Sequence, residues 1–167
     1  VAIAAKYACE RHGLKRVAIV DFDVHHGNGT ENIVAGDERI LMVSFFQHPF
    51  FPEGGSQSEA ANLLNLPVPA YTRGMDIREM ADLMWTPRLE AHAPELIFIS
   101  AGFDAHREDD MGQMGLVEQD YVWLTQRIKD IANRHCQGRI VSCLEGGYNL
   151  DALARSVEAH VRVLADV

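Results

Sequence analysis

Five short apolar runs, rich in branched side chains, are spaced along the chain and predict strands. They cover residues 16–22, 39–45, 63–68, 95–101 and 139–144, of which the third is the weakest. Each run is almost continuously hydrophobic and does not alternate with polar residues. This pattern indicates strands that are covered on both faces, as in parallel sheets.

Helical patterns fill the segments between these runs. They cover residues 2–11, a short stretch near Glu31, and residues 76–91, 118–135 and 150–165. In the fourth segment, Leu124, Ile128 and Ile131 recur at spacings that place them on one helix face. Asn149 has a side chain suited to cap the last helix. Strands that alternate with helices predict an α/β layer fold, and the absence of a linker or repeat indicates a single domain over residues 1–167.

Composition narrows the class of protein. The 167 residues are 47% hydrophobic and 23% charged, which excludes a disordered tail or a coiled coil. A net charge of −9 disfavours direct binding to nucleic acid and suits cations or a cationic substrate. Three cysteines without a C-x-x-C pair favour a reducing compartment, so we expect a cytoplasmic protein. No apolar run reaches the length of about 18 residues that a membrane span requires.

Four of the segments that follow predicted strands are polar, glycine-rich and ionisable. They cover residues 21–30, 48–55, 102–110 and 145–150. Ligand sites in open α/β sheets form outside the carboxyl ends of the strands. The sequence therefore predicts a functional site at this edge of the sheet.

The first of these segments carries a possible metal-binding pair. If the chain stays extended after the first strand, Asp21, Asp23 and His25 lie on one side, because side chains alternate with period two. A carboxylate from Asp23 and an imidazole from His25 are both accepted zinc ligands. A catalytic zinc needs a third protein ligand, and Asp104 is the best candidate because it follows another predicted strand.

Four sequence blocks resemble motifs of the zinc-dependent deacetylases in order and approximate spacing. They are DFDVHHGNGT, HPFFPEGG, SAGFDAHREDD and LEGGYNL. That family includes histone deacetylases and acetylpolyamine amidohydrolases, and the motifs here are most similar to those of its bacterial members. The resemblance implies the three-layer arginase/deacetylase fold with a central, mainly parallel sheet. It implies that Zn²⁺ is held by Asp23, His25 and Asp104, and that Tyr148 is the catalytic tyrosine. The implied reaction is hydrolysis of the amide of acetyl-lysine or an acetylpolyamine by metal-activated water.

The same resemblance implies residues that bind the substrate. Phe51 matches the aromatic that lines the acyl-lysine tunnel, whereas Phe50 is expected in the core. Met111 falls at the tunnel rim. Gly146 and Gly147 would let the backbone approach the substrate and turn the tyrosine inward.

A K⁺ site beside the zinc is also implied. Its oxygen ligands would be side chains of Asp21, Asp23 and Ser44 and carbonyls of His25 and Phe45. Manganese arginases of the same fold bind two metals through additional carboxylates. Gly27 and His106 occupy two of those places here, which favours one zinc, with a second metal at His106 as the alternative.

One element of the family pattern is absent from these residues. The general base of the family belongs to a G-H-H block, and the only adjacent histidine pair here is His25–His26. The chain therefore looks like the carboxyl-terminal part of a deacetylase domain. Two functions stay open: the enzyme, with its base supplied from outside these residues, or a truncated, non-catalytic module that binds metal or an acylated amine. Loss of a general base typically costs a factor of about 10²–10⁴ in rate, and an uncovered sheet edge promotes self-association.

Overall fold

The computed structural model describes all 167 residues. The helices are α1 (Ala2–Arg11), α2 (Asn28–Val34), α3 (Gly74–Met80), α4 (Thr86–His92), α5 (Glu118–His135) and α6 (Leu150–Ala165). A π-helical turn, Ala81–Trp85, joins α3 to α4. The strands are β1 (Val17–Asp21), β2 (Ile40–Gln47), β3 (Leu63–Val68), β4 (Leu96–Ala101) and β5 (Ile140–Leu144). Each predicted element is present, and Asn149 caps α6 by accepting the Ala152 N–H at 3.0 Å.

The five strands form one parallel sheet in the order β3-β2-β1-β4-β5. Strand β1 therefore lies at the centre, with β2 and β4 as its neighbours. In the register of these pairs, Asp21 lies opposite Ser44 on one side and Ser100 on the other. The carboxyl ends of the three central strands thus meet at one edge of the sheet.

Two separate cores cover the two faces of this sheet. Val17 and Ile19 of β1 belong to the smaller core, which includes α1 and Val34 of α2. Ala18 and Val20 belong to the larger core, which includes residues of α3, α4 and α5. Alternate side chains of a strand enter opposite faces, so a continuous apolar run is required to fill both cores. The arrangement is the predicted three-layer α/β fold.

Strand β5 differs from the prediction that every strand is covered on both faces. Val141 is 43% exposed and Leu144 is 61% exposed, whereas β1 and β2 are buried throughout. Strand β5 is an edge strand that pairs only with β4, but its edge position alone does not explain the exposure, since the other edge strand, β3, is largely buried. No helix of the chain is both long enough and apolar enough to span a membrane.

Candidate metal centre

Asp23, His25 and Asp104 meet at the carboxyl edge of the sheet. The first two follow β1 and the third follows β4, and these two strands are hydrogen-bonded neighbours. His25 Nδ1 lies 3.0 Å from Asp23 Oδ1 and 3.1 Å from Asp104 Oδ2. One ligand atom from each residue lies within 4.8 Å of the other two, and this is the one group of three such residues in the chain.

The local backbone brings Asp23 and His25 together in a different way from the one expected. Strand β1 ends at Asp21, and the chain bends at Val24 and His25. Asp21 Oδ1 accepts the N–H of Asp23 at 3.1 Å, and Asp23 Oδ1 accepts the N–H of His25 at 2.8 Å. Such bonds from an aspartate to the backbone two residues on are a known way of stabilising turns. Two consecutive aspartate turns, rather than strand alternation, therefore place the two ligands.

Two glycines lie against the carboxylates of this group. A Cβ atom on Gly146 would lie 2.0 Å from Asp104 Oδ2, and one on Gly102 would lie 2.1 Å from Asp23 Oδ2. Gly146 also donates its N–H to Asp23 Oδ2 at 2.8 Å. Gly146 is thus crowded against two candidate metal ligands, and its expected approach to a substrate stays a prediction. Gly147 has φ +142°, a conformation that favours glycine.

The electrostatics of the three residues fit a bound cation. Asp104 is fully buried, its Oδ2 lies 3.1 Å from the His25 imidazole, and burial raises its pKa. Hydrogen bonds to Asp104 and Asp23 raise the pKa of His25 to about 10. Burial opposes ionisation of Asp23, but hydrogen bonds from His25 and Gly146 outweigh it and lower the pKa. Without metal, a proton on His25 thus offsets part of the negative charge of the two carboxylates.

A zinc ion suits the same place. Two ligands about 2.0–2.2 Å from one tetrahedral zinc lie roughly 3.3–3.6 Å apart, and the 3.0 and 3.1 Å distances from His25 Nδ1 to the two carboxylates are a few tenths of an ångström shorter. Two carboxylates and one imidazole also match the three protein ligands of catalytic zinc sites, which leave a position open for water or substrate. Metal binding would displace the proton from His25.

A polar cleft of about 240 Å³ adjoins the ligands, and its lining contains no hydrophobic residue. It contains the buried Asp21, whose pKa is raised well above its usual value by burial and by repulsion from Asp23. Ser100 and Glu145 also line the cleft, and the Ser100 hydroxyl donates to Glu145 Oε1 at 2.9 Å. Neither residue was expected from the sequence, although Ser100 lies near the end of β4 and Glu145 directly follows β5.

The expected K⁺ ligands lie close to this cleft. Asp21 and Ser44 are opposite each other in the sheet register, and Phe45 follows Ser44 in β2. The Ser44 hydroxyl donates to Asn65 Oδ1 at 3.3 Å. The sheet register therefore places Asp21 and Ser44 side by side on neighbouring strands.

Two phenylalanines flank His25. Phe51 is 74% exposed and meets the imidazole edge-on, with ring centroids 6.3 Å apart. Phe50 stacks on the imidazole at 5.4 Å and 20°. The expectation that Phe50 belongs to the core is therefore wrong, because the ring is only half-buried and packs on a candidate ligand.

Tyr148 and Met111 lie at the surface around the centre, 55% and 48% exposed. Burial and the negative charges of Asp104 and Asp23 raise the pKa of Tyr148. The phenol therefore stays protonated at neutral pH, which a hydrogen-bond donor requires.

Two other histidines near the centre serve packing. His26 is buried against Phe46, with ring centroids 4.5 Å apart, and burial lowers its pKa. His106 is fully buried, and its Nδ1 accepts the Glu108 N–H at 3.1 Å. Because His106 is not part of the three-residue group, the geometry gives no support to a second metal there.

Comparisons with known proteins place these features in a wider context. The family model described as histone deacetylase domain matches residues 1–164. Type-2 histone deacetylase 2 of Dictyostelium discoideum is 40% identical over 99% of this chain and 11% of its own length. The histone deacetylase-like amidohydrolase of Pseudomonas aeruginosa is 37% identical over 89% of this chain and 41% of its own length.

A solved structure shows the same fold. The histone deacetylase Clr3 superposes with a TM-score of 0.89 at 30% identity, over 99% of this chain and 30% of that one. The architecture is thus the arginase/deacetylase-like α/β fold that the resemblance implied. The chain spans well under two thirds of each of these relatives.

Proposed function

The chain belongs to the histone deacetylase family, and we propose that it carries the metal centre of a zinc-dependent deacetylase. The proposed reaction is hydrolysis of the amide of an acetylated amine, either acetyl-lysine or an acetylpolyamine. The observation that carries the proposal is the convergence of Asp23, His25 and Asp104, with His25 Nδ1 within 3.1 Å of a carboxylate oxygen of each aspartate.

In this proposal Zn²⁺ is held by Asp23, His25 and Asp104. A zinc ion with an open position polarises a substrate carbonyl and lowers the pKa of a bound water to about 7. The protein residues fix the ion, since the ligand carboxylates are held by backbone N–H groups of His25, Val24 and Gly146. Such outer contacts orient metal ligands and tune their basicity.

Tyr148 is the proposed donor to the oxyanion that develops during amide hydrolysis. Its raised pKa keeps the hydroxyl protonated, and Gly147 allows the backbone turn that precedes it. A positioned donor of this kind contributes about 3–4 kcal/mol to transition-state stabilisation.

Phe51 and Phe50 form the proposed apolar wall for the aliphatic arm of the substrate. Both rings flank His25, so a side chain lying between them would lose water close to the metal. Met111, with its exposed side chain, would contact the arm further out. A net charge of −9 favours a cationic substrate such as a lysine-rich segment or a polyamine and disfavours nucleic acid.

A K⁺ ion is the second proposed cation, held by oxygens of Asp21, Asp23, Ser44, His25 and Phe45. Burial and repulsion from Asp23 raise the pKa of Asp21, so a nearby cation would favour its ionised form. Oxygen ligands of this kind suit hard cations.

The general base is proposed to lie outside residues 1–167. In the His25–His26 pair, His25 is a candidate ligand and His26 is buried beside Phe46. The alternative function is a module that binds metal or an acylated amine without turnover.

All three cysteines are free, and a cytoplasmic, bacterial location stays a prediction from the sequence.

Metal analysis of the full natural protein tests the proposal. We expect one zinc per chain in the wild type, and loss of zinc in both His25→Ala and Asp104→Ala. His12→Ala, an exposed histidine outside the site, serves as the matched control and should keep its zinc. Unchanged zinc in both ligand variants would refute the metal assignment. Zinc without hydrolysis of an acetyl-lysine peptide or an acetylated polyamine would favour the binding module.

A further inference from the structure

Asp109 joins two loops that border the metal centre. The tyrosine loop comprises residues 145–149, and the acidic loop comprises residues 107–111. Asp109 Oδ2 accepts the N–H groups of Tyr148 at 2.6 Å and Asn149 at 2.9 Å. Its Oδ1 accepts the N–H of Met111 at 3.0 Å. One carboxylate thus holds both the candidate catalytic tyrosine and the candidate rim residue by their backbones.

The contacts are strong because Asp109 is only 4% exposed. A buried carboxylate is costly unless its oxygens are hydrogen-bonded, and three backbone donors satisfy it here. Hydrogen bonds with an ionised acceptor are roughly twice as strong as neutral ones. A second contact reinforces the connection, since Asn149 Nδ2 donates to the Glu108 carbonyl at 2.9 Å.

Asp109 is also hydrogen-bonded to the segment that carries Asp104, a candidate metal ligand. Asp109 donates its N–H to the His106 carbonyl at 2.9 Å, in the segment that follows Asp104. At the other end of the tyrosine loop, Phe103 donates its N–H to the Gly146 carbonyl at 2.8 Å. The loop is therefore held at both ends by the segment that carries Asp104.

Such a constraint matters because the tyrosine loop contains two glycines. Gly146 is held by its bonds to Asp23 and Phe103, but Gly147, directly before Tyr148, is a residue type with wide conformational freedom. A donor that must meet a developing charge has to be held in place before the reaction, since reorganisation during the reaction lowers its value. The phenol is 55% exposed, so packing alone does not hold it.

We propose that Asp109 is a positioning residue that sets Tyr148 relative to the metal ligands. It acts through the backbone of Tyr148 and touches neither metal nor substrate. The inference rests on the proposed function, because it assigns Asp109 its effect through the oxyanion donor. The Met111 bond means that the same carboxylate couples the tunnel rim to the tyrosine.

The test uses Asp109→Asn in the full natural protein loaded with zinc. Asparagine keeps the shape but replaces one acceptor oxygen with an NH₂ group that faces backbone donors. We expect kcat to fall about 10–100-fold with KM changed less than about twofold, because only the transition state needs the aligned phenol. Zinc content should be unchanged. Asp110→Asn, an exposed neighbouring carboxylate, is the matched control and should behave as the wild type.

A double-mutant cycle identifies the route of the effect. If Asp109 acts through the phenol, Asp109→Asn should cost less than about twofold in a Tyr148→Phe background. An undiminished loss in that background, or a wild-type kcat for Asp109→Asn alone, would overturn the inference.

Amide hydrogen exchange gives a readout that needs no turnover. In the wild type, the amides of Tyr148 and Asn149 should exchange more slowly than that of Gly147, and Asp109→Asn should accelerate both. Equal exchange of the three amides in the wild type would overturn the inference even if the variant failed to fold. An inactive, zinc-loaded wild type would contradict the proposed function instead, and exchange would then decide the Asp109 constraint by itself.

Discussion

Gly146 donates its backbone N–H to Asp23 Oδ2 at 2.8 Å, although 123 positions separate the two residues in the sequence. The bond connects the loop after β5 to the loop after β1, across the intervening strand β4. It places a residue without a side chain beside two carboxylates that are candidate metal ligands. The strand order of the sheet is what brings these distant segments together.

Gly146→Ala should therefore weaken metal binding. The added Cβ would lie 2.0 Å from Asp104 Oδ2 and 2.7 Å from Asp23 Oδ2, so either the carboxylates or the loop must move. Loss of outer contacts at metal sites typically costs about 10–100-fold in affinity, and we expect a loss in this range. Zinc titration of the two proteins measures it.

Gly29→Ala is the control for that substitution. A Cβ on Gly29 meets no atom within 4 Å, so its zinc affinity should equal that of the wild type. Equal affinity of Gly146→Ala and Gly29→Ala would contradict the crowding argument.

Tyr148→Phe should lower turnover of an acetyl-lysine reporter while zinc stays bound. Loss of one oxyanion donor costs about 10²–10³ in kcat in enzymes that use such donors. Tyr71→Phe removes the hydroxyl of another exposed tyrosine and should leave kcat unchanged. A wild-type kcat for Tyr148→Phe in the full protein would remove this residue from the mechanism.

Phe51→Ala should raise KM more than it lowers kcat. The ring lies beside His25 and, in the proposed function, would offer apolar area to the substrate arm; burial of an aromatic contributes about 1.5–3 kcal/mol. We expect KM to rise about tenfold or more, because this contact is made in both the bound and transition states. Phe51→Leu should recover most of the loss, and an unchanged KM for Phe51→Ala would exclude the ring from the binding site.

His160 predicts a pH dependence of stability away from the metal. It is 3% exposed, and burial lowers its pKa to about 4. Thr125 donates its hydroxyl to the Tyr121 carbonyl, so it accepts from His160 Nδ1, and Ser142 donates to Nε2 at 2.9 Å. The neutral imidazole is thus satisfied at both nitrogens.

Because the unfolded chain has a histidine pKa of about 6.5, it binds the proton more readily than the native chain between pH 6.5 and 4. The free energy of unfolding should therefore decrease as the pH falls through this window, by roughly 3 kcal/mol from this residue. Urea denaturation at pH 7, 5.5 and 4.5 measures the effect, and His160→Gln should flatten it. An equal decrease in the variant would assign the pH dependence to other groups.

The exposed β5 edge predicts self-association of residues 1–167 expressed alone. Val141 and Leu144 are exposed on a strand that pairs with one neighbour only, and such edges pair with other chains. Val141→Lys should reduce the apparent mass in light scattering at high concentration, since edge charges oppose pairing. A wild-type chain that stays monomeric would contradict this prediction.

The sequence by itself determined the architecture and the residue types at its functional edge. Continuous apolar runs predicted parallel strands, and the five runs agree with the observed strands to within two residues at each end. The positions of Asp23, His25 and Asp104 after two of these runs placed them at one sheet edge, because parallel strands share a carboxyl end. These features depend on the order of apolar and polar residues over short segments, and that order is given by the sequence itself.

Only the tertiary structure decided how those residues meet. The sequence pattern did not predict four features of the structure. These are the stacking of Phe50 on His25, the crowding of Gly146 against Asp104, the exposure of β5, and the bonds of Asp109 to the tyrosine loop. Each depends on distances of a few ångströms between segments far apart in the chain, and those distances follow from strand order and turn geometry. The bonds from Asp21 and Asp23 to the backbone two residues on are another such detail, which the alternation pattern did not predict.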